Sequence, residues 1–302
     1  MPDSRLFDAP AELGSPVSSF ERPSSKRLMV FSGRSNEDLA QRICERLGVQ
    51  LGGTTLKTFA NGEIYARFEE SVRGADVFLV QSCIAPVNRN LMELMIMADA
   101  AMLGSAKRVT AVVPWYPYSR QDKKSAPREP ITARLVATLL RSSGVDRVLT
   151  MDLHAGQVQG FFDGPVDHMT ALPMFAQYFR DIGLSGDGTV VVSADAGRAK
   201  LATRFAEMLD AEVAIIAKLR PEHGKARVAA IIGEVEGKKA IISDDIIDTA
   251  GTLCAGAQAV ADAGATEVYA CATHALLSDP ALDRIRESVL QDRKSTPLNS
   301  SH

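Results

Sequence analysis

A segment near the carboxyl end of the chain combines residue types that could bind a sugar phosphate. Its apolar run 240–243 is typical of a buried strand, and the chain then turns acidic at Asp244 and Asp245. Two isoleucines later it enters a small-residue loop, 248–252, followed by a helix-like run that stops at Gly264. Open α/β sheets bind ligands beyond the carboxyl ends of their strands, and N–H groups at a helix start suit a phosphate, whereas carboxylates suit sugar hydroxyls or Mg²⁺. The segment predicts a ribose-phosphate pocket, although an acidic strand-to-helix turn explains the loop equally well when it is taken alone.

Asp152 and His154 could form a second polar cluster at a strand end. They follow the strand-like run 147–151 and alternate along the chain, so their side chains should point the same way, as metal ligands require. A lone histidine is more often an ordinary polar residue with a hydrogen-bond partner. Because this one directly follows a strand, a ligand role is an equally good interpretation.

Two further segments carry cations where strands are expected to end. Residues 115–124 combine aromatic rings, Arg120, Gln121 and paired lysines. Aromatic and guanidinium faces can stack on a nucleobase, and Arg, Gln and Lys can contact phosphates. Lys218 and Arg220 alternate on an extended segment and present two cations on one side. Each segment taken alone could instead be a solvated charged loop or strand end.

Alternating strands and helices are expected to position these groups. The predicted strands are 28–31, 76–80, 108–114, 147–151, 189–193, 213–217, 227–232, 238–242 and 266–273. The predicted helices are 37–47, 90–103, 131–141, 199–209, 253–263 and 281–290. The alternation predicts an α/β fold in which each half has a mainly parallel sheet covered by helices on both faces.

Composition narrows the class of protein. The 302 residues are enough for about two domains, and the net charge of −3 gives no electrostatic footprint for nucleic acid or an anionic membrane. No apolar run approaches the roughly 18 residues that span a bilayer. The four cysteines are widely spaced and form no C-x-x-C pair, which favours reduced thiols and a cytoplasmic location. Residues 1–25 are rich in Ser, Pro and acidic side chains, so we expect a disordered tail rather than a secretory signal.

Together these segments resemble the ribose-phosphate diphosphokinase family, the synthetases of phosphoribosyl diphosphate (PRPP), over about residues 26–290. The most specific motif is Asp152–Phe162, which is close to the family signature. The loop Asp244–Thr252 is the PRPP-type loop that phosphoribosyltransferases also share. Shorter matches are Arg120–Asp122 and Asn61–Glu63 for ATP contacts and Lys218–Arg220 for catalysis.

The resemblance implies two similar phosphoribosyltransferase-like α/β domains and a defined reaction. We expect an N-terminal domain at 26–170 on the ATP side and a C-terminal domain at 171–291 on the ribose 5-phosphate side. The diphosphoryl group of ATP would pass to the anomeric hydroxyl of ribose 5-phosphate, yielding AMP and PRPP. The family also implies Mg²⁺, a homo-oligomer that is a hexamer, and allosteric sites for phosphate or ADP.

Residue roles follow from the resemblance position by position. Lys218 and Arg220 would be catalytic, and His154 and Asp195 would hold Mg²⁺. ATP would be bound by Asn61, Gly62, Glu63, Arg120, Gln121 and Asp122. Ribose 5-phosphate would be bound by Arg220, Asp244, Asp245, Asp248, Thr249, Ala250, Gly251 and Thr252.

The sequence departs from the family pattern at three places. Asn61 replaces a frequent Asp, and the pyrophosphate loop has Ala194 and Arg198 where the family usually has Pro and Gly. Arg198 adds bulk and charge near the pyrophosphate, which could change its affinity. Residues 292–302 do not resemble the family, so we expect a non-native tail and a C-terminal domain that lacks its last strand and helix.

Two other functions fit parts of the chain. A phosphoribosyltransferase that consumes PRPP would share the loop 248–252 but would not need the ATP segments or the pair Lys218 and Arg220. A non-catalytic regulatory subunit of the same fold would bind nucleotide within a mixed oligomer. The presence of His154, Asp195, Lys218 and Arg220 argues against that second alternative.

Overall fold

The computed structural model describes residues 27–219 and 227–295, which form two main β-sheets. In chain order the strands are β1 (Leu28–Ser32), β2 (Thr54–Thr58), β3 (Ile64–Phe68), β4 (Asp76–Val80), β5 (Arg108–Val112), β6 (Arg147–Met151), β7 (Val166–Met169), β8 (Thr189–Ser193), β9 (Glu212–Leu219), β10 (Arg227–Ile232), β11 (Lys239–Ile247), β12 (Glu267–Ala275) and β13 (Leu290–Ser295). The helices are α1 (Glu37–Leu47), α2 (Val87–Leu103), α3 (Thr132–Ser142), α4 (Leu172–Asp181), α5 (Ala199–Leu209), α6 (Gly251–Asp262) and α7 (Ala281–Arg286). The α/β alternation predicted from the sequence is therefore confirmed.

The first sheet is entirely parallel and has the strand order β1-β4-β5-β6-β7. Its central strands are buried on both faces, since Val77 and Leu79 pack into one core cluster while Val80 and Val112 pack into another. Such strands need apolar side chains at nearly every position, which is why they appear in the sequence as continuous apolar runs. Strands β2 and β3 form a separate antiparallel ribbon whose turn contains Asn61 and Gly62.

The second sheet has the order β10-β9-β8-β11-β12-β13 and is parallel except for the β9–β10 hairpin. The predicted last helix is wrong in length, because α7 ends at Arg286 and the chain enters β13 at Leu290. Residues 292–295 continue β13 against β12. Main-chain pairing of this kind depends little on side-chain identity, so the non-native origin of 292–302 stays a prediction.

The two sheets meet through buried polar contacts at the end of β6. The Asp152 carboxylate accepts hydrogen bonds from the Ala171 N–H (2.8 Å) and from the Thr273 hydroxyl (2.6 Å). His274, which is fully buried on β12, bonds the Met151 carbonyl oxygen through Nε2 at 2.8 Å. These contacts fix the carboxyl end of β6 against β12.

Within the described ranges, no helix has the length and apolar character that a bilayer crossing requires.

Candidate active site

A pocket of about 290 Å³ lies where strand ends from both sheets meet. The loop after β6 contributes His154, the turn after β8 contributes Asp195 and Arg198, and β11 with the start of α6 contributes the rest of the wall. The lining residues are Arg120, His154, Asp195, Arg198, Asp244, Asp245, Ile246, Ile247, Asp248, Thr249, Ala250, Gly251, Thr252 and Leu253. The pocket thus brings together the metal-binding pair and the acceptor loop that the sequence predicts.

The residues that are predicted to bind ATP lie wholly or partly outside this pocket. Arg120 is shared with a second pocket of about 380 Å³ that also contains Gln121 and Tyr118. Asp122 is buried and accepts a hydrogen bond from Gln157. The exposed turn 61–63 does not reach either pocket: Gly62 and Glu63 line a third cavity of about 480 Å³ beside α2.

The aromatic side chains of the segment 115–124 do not all face a ligand site. Tyr116 is buried in the hydrophobic core of the first sheet and donates a hydrogen bond to the Ala133 carbonyl (3.3 Å). Trp115 is also buried, and its ring centroid lies 4.9 Å from that of His274. Stacking on a nucleobase through Tyr116 is therefore excluded by its packing, while Tyr118 lines the second pocket.

The predicted catalytic cations fall at the edge of the described chain. Lys218 lies at the end of β9, where its main chain pairs with Val228 of β10. The side chain of Lys218 and the whole of Arg220 lie outside the described residues. Their catalytic role stays a prediction.

His154 is held by its Nδ1 atom. Nδ1 lies 2.9 Å from the Asp245 carboxylate and 2.9 Å from Nη2 of Arg198, and Arg198 also donates to the His154 carbonyl at 2.9 Å. No described residue bonds the Nε2 atom. The imidazole is about one-third exposed (38%), whereas Asp245 is almost fully buried (2%). His154 can therefore present Nε2 to the pocket while Asp245 orients the ring from behind.

The pKa values of the neighbouring carboxyl groups of Asp244 and Asp245 are shifted in opposite directions. Burial and the adjacent Asp245 raise the pKa of Asp244 to about 8. Burial also acts to raise the pKa of Asp245, but the hydrogen bond from His154 and the charge of Arg198 more than offset it and lower that pKa to about 2. The pair therefore carries one negative charge near neutral pH, located on Asp245.

The loop 248–252 has the geometry of an anion site. Ala250 adopts a left-handed conformation (φ 58°) and caps α6, whose first residue is Gly251. The first N–H groups of a helix have no partner within the helix, so they can donate to an anion. Arg284 of α7 donates to the Thr249 carbonyl at 2.9 Å, and Arg120 pairs with Asp248 at 2.9 Å.

The donors in the pocket suit a metal ion that arrives with a phosphate ligand. Among the described residues, no group of three or more His, Cys, Asp or Glu side chains is arranged to hold a metal ion. His154 and Asp195 nevertheless line the same pocket. Mg²⁺ is usually bound by one or two protein groups together with substrate phosphates, and it prefers oxygen to nitrogen. The pair fits such a shared site, with the Asp195 carboxylate as the preferred type of ligand.

Arg198 and Arg284 are site residues whose contacts the sequence reasoning missed. Arg198 follows a strand end and Asp195, so its position near a pocket was visible, but its pairing with Asp245 was not. Arg284 lies 35 residues from Thr249, and no local pattern connects them.

Family models match most of the chain. A model described as the N-terminal domain of ribose phosphate pyrophosphokinase matches residues 28–144. A model described as the phosphoribosyl synthetase-associated domain matches residues 220–296. The two matches cover parts of both sheets.

Individual proteins match over about nine-tenths of the chain. The ribose-phosphate pyrophosphokinase of Fusobacterium nucleatum is 56% identical over 263 residues, which is 87% of this chain and 83% of that protein. The ribose-phosphate pyrophosphokinase of Caldanaerobacter subterraneus is 54% identical over 265 residues, 88% of this chain and 84% of that protein. The crystal structure of phosphoribosylpyrophosphate synthetase from Mycobacterium smegmatis is 45% identical, with a TM-score of 0.83 and coverage of 90% of this chain and 89% of that one.

Proposed function

The chain belongs to the ribose-phosphate pyrophosphokinase family, and on that basis we propose that it transfers the diphosphoryl group of ATP to ribose 5-phosphate. The products are AMP and PRPP. The observation that carries this proposal is the pocket in which His154, Asp195 and the loop 248–252 meet. It places a candidate metal–phosphate site beside a candidate sugar-phosphate site.

Ribose 5-phosphate occupies the side of the pocket formed by β11 and α6. The 5-phosphate lies against the loop 248–252, where N–H groups at the start of α6 and two threonine hydroxyls donate to it. Asp244 and Asp245 lie on the strand before that loop, and Asp244 contacts the ribose hydroxyls. Its raised pKa allows Asp244 to act as a donor as well as an acceptor.

ATP binds on the side formed by the N-terminal half. Arg120 lines both the catalytic pocket and its neighbour, so it can contact the nucleotide where the two pockets adjoin. Gln121 lies in the second pocket, and Asp122, the next residue, is buried and accepts a hydrogen bond from Gln157. The exposed turn Asn61-Gly62-Glu63 is separate from both pockets, which suits a contact with the nucleotide of another subunit.

His154 and Asp195 would hold Mg²⁺, which would supply positive charge to the phosphate oxygens. Lys218, near the end of β9, and Arg220 neutralise charge on the transferring group. Catalysis of this type depends mainly on positioning and on electrostatic stabilisation, because the phosphoryl transition state offers little covalent chemistry to the protein.

Assembly, regulation and location complete the proposal. The protein acts in the cytoplasm as a homo-oligomer, a hexamer, that responds to phosphate and ADP. All four cysteines lie within the described residues and none forms a disulfide, as expected of a reducing compartment. We also propose the domain division at residue 170, and the end of β7 at Met169 and the start of α4 at Leu172 support it.

Two alternatives are less well supported. A PRPP-consuming phosphoribosyltransferase does not account for the match of residues 28–144 to the N-terminal domain of a pyrophosphokinase. A non-catalytic subunit does not account for His154 and Asp195 sharing one pocket with the acceptor loop.

The full chain should release AMP from ATP only when ribose 5-phosphate and Mg²⁺ are both present. AMP formation is followed by a coupled assay, and PRPP formation is measured separately by its use in a phosphoribosyltransferase reaction. Equal AMP and PRPP yields support the proposal. AMP release without ribose 5-phosphate, or nucleotide binding without turnover, would exclude it in favour of a hydrolase or a regulatory subunit.

A further inference from the structure

Arg198 contacts three parts of the pocket at once. Its main-chain N–H donates to Oδ1 of Asp195 at 3.2 Å, and its side chain pairs with the buried carboxylate of Asp245. The same Nη2 atom donates to the His154 carbonyl at 2.9 Å. The Arg198 side chain is only 15% exposed, so the guanidinium is enclosed between the two halves of the protein.

The contacts of His154 hold the Nδ1 edge of its ring. Nδ1 lies 2.9 Å from the Asp245 carboxylate, to which it donates when it carries the proton, and 2.9 Å from Nη2 of Arg198, from which it accepts when it carries the lone pair. In either tautomer one of these neighbours bonds Nδ1, so the ring is held by this edge and Nε2 lies on the opposite side. The tautomer with the proton on Nδ1 leaves a lone pair on Nε2, as a metal ligand requires.

The charge of Arg198 keeps this arrangement stable. Its ion pair with Asp245 fixes the position of the carboxylate that lies against Nδ1 of His154. Arg198 therefore supports the orientation of His154 in two ways, through its own bond to the His154 carbonyl and through Asp245.

We propose that Arg198 is a positioning residue that holds His154 with its Nε2 atom directed at the metal–phosphate side of the pocket. The inference rests on the proposed function and adds to it a residue with an indirect role. Partners that orient a metal-ligating histidine typically contribute a factor of about 10–100 in metal affinity or activity. Arg198 acts through Asp245 and His154 and does not itself bind the metal ion.

The test compares Mn²⁺ binding in the full chain, measured by electron paramagnetic resonance with a non-hydrolysable ATP analogue present. We expect Arg198→Ala to weaken Mn²⁺ binding by about tenfold and to lower kcat by a similar factor. The KM for ribose 5-phosphate should stay unchanged, because the loop 248–252 is intact. Arg198→Gln retains N–H donors and should restore part of the Mn²⁺ affinity, and Arg204→Ala removes an exposed arginine from α5 and should match the parent.

A different role for Arg198 predicts the opposite change in Mn²⁺ affinity. If Arg198 acted only as a nearby positive charge, its removal would reduce repulsion and Mn²⁺ would bind more tightly. Tighter or unchanged Mn²⁺ binding in Arg198→Ala would overturn the inference. Should that variant fail to fold, Arg198→Met replaces it, and an unchanged Mn²⁺ affinity together with an unchanged kcat in Arg198→Met would overturn the inference. A parent chain that makes no AMP would instead count against the proposed function.

Discussion

Single residues in the pocket are arranged so that carboxylates lie beside arginines. Asp245 pairs with Arg198, and Asp248 pairs with Arg120. Four carboxylates in a site for two phosphorylated substrates would otherwise repel both ligands. The pairs reduce that repulsion, and the raised pKa of Asp244 removes a further negative charge. The pocket can therefore accept anions although its wall is rich in aspartate.

Lys218→Ala should lower kcat strongly and change the KM for ATP little. Groups that stabilise charge in the transition state contribute roughly 10²–10³ in kcat. Steady-state AMP release measures both parameters, and nucleotide binding to the variant is checked by calorimetry. Lys200→Ala, on the exposed side of α5, is the matched control. Full turnover in Lys218→Ala would show that another group supplies the charge.

Asp244→Asn should alter the pH dependence of stability. Burial raises the pKa of Asp244 to about 8, so the folded protein holds a proton that the unfolded chain loses near pH 4. The associated stability is present at low pH and is lost as the pH rises towards 8, by up to about 1.4 kcal/mol per pH unit. We expect the variant to gain stability relative to the parent between pH 5 and 8 in urea titrations. A constant difference across that range would mean that Asp244 is ionised throughout.

Among the elements, α7 supports the loop that begins α6. Ala250 in the left-handed region carries a strain of about 1–2 kcal/mol, so its conformation must be held by its surroundings. Arg284 of α7 donates to the Thr249 carbonyl directly before it. This bond fixes the peptide plane and with it the direction of the N–H groups that face the pocket.

Arg284→Ala should therefore raise the KM for ribose 5-phosphate by about tenfold, the equivalent of one hydrogen bond to a charged group of about 1.4 kcal/mol. The kcat should change little, and Arg284→Lys should lie in between. Arg286→Ala removes an exposed arginine from the same helix and serves as the control. A fall in kcat at constant KM would show that Arg284 acts on the reaction and not on phosphate binding.

Elements with a strong local pattern were predictable and those defined by distant partners were not. Asn36 and Gly48 delimit α1 as capping rules predict, and β4 and β8 are apolar runs, whereas β11 continues past its predicted end at 242 to Ile247. Strand β7 was missed because its four residues, Val-Asp-His-Met, are half polar and too few to show a pattern, and the strand is defined by its pairing with β6. Helix α4 begins with Leu-Pro directly after a polar loop, which concealed its amphipathic face.

The same limit applies to the site. Strand-end loops identified His154 and the loop 248–252 as candidate site residues, because parallel strands bring their carboxyl ends to one edge, whereas Asp195 was assigned from the family resemblance. Arg120 and Asp248 were each assigned to a ligand, but their direct pairing depends on how the two sheets are placed. Sequence periodicity contains no information about that placement.

For the whole molecule, the contact between the halves depends on a neutral histidine. His274 on β12 is fully buried, bonds the Met151 carbonyl and lies against Trp115. Burial lowers its pKa, with a partial opposing effect from the Met151 bond and nearby aspartates. Because the catalytic pocket lies between the two halves, this contact also fixes the position of His154 relative to β11.

Stability should therefore fall as the pH drops below about 6.5, the usual pKa of histidine in an unfolded chain. The unfolded chain takes up a proton that folded His274 does not, so the free energy of unfolding decreases by up to about 1.4 kcal/mol per pH unit. Urea unfolding between pH 5 and 7 measures this, and Trp115, the one tryptophan of the sequence, provides a fluorescence signal directly at the contact. His274→Gln should retain a donor for Met151 and reduce the slope by about one proton. An unchanged slope in His274→Gln would assign the pH dependence to other groups and would leave the contact between the halves insensitive to acid.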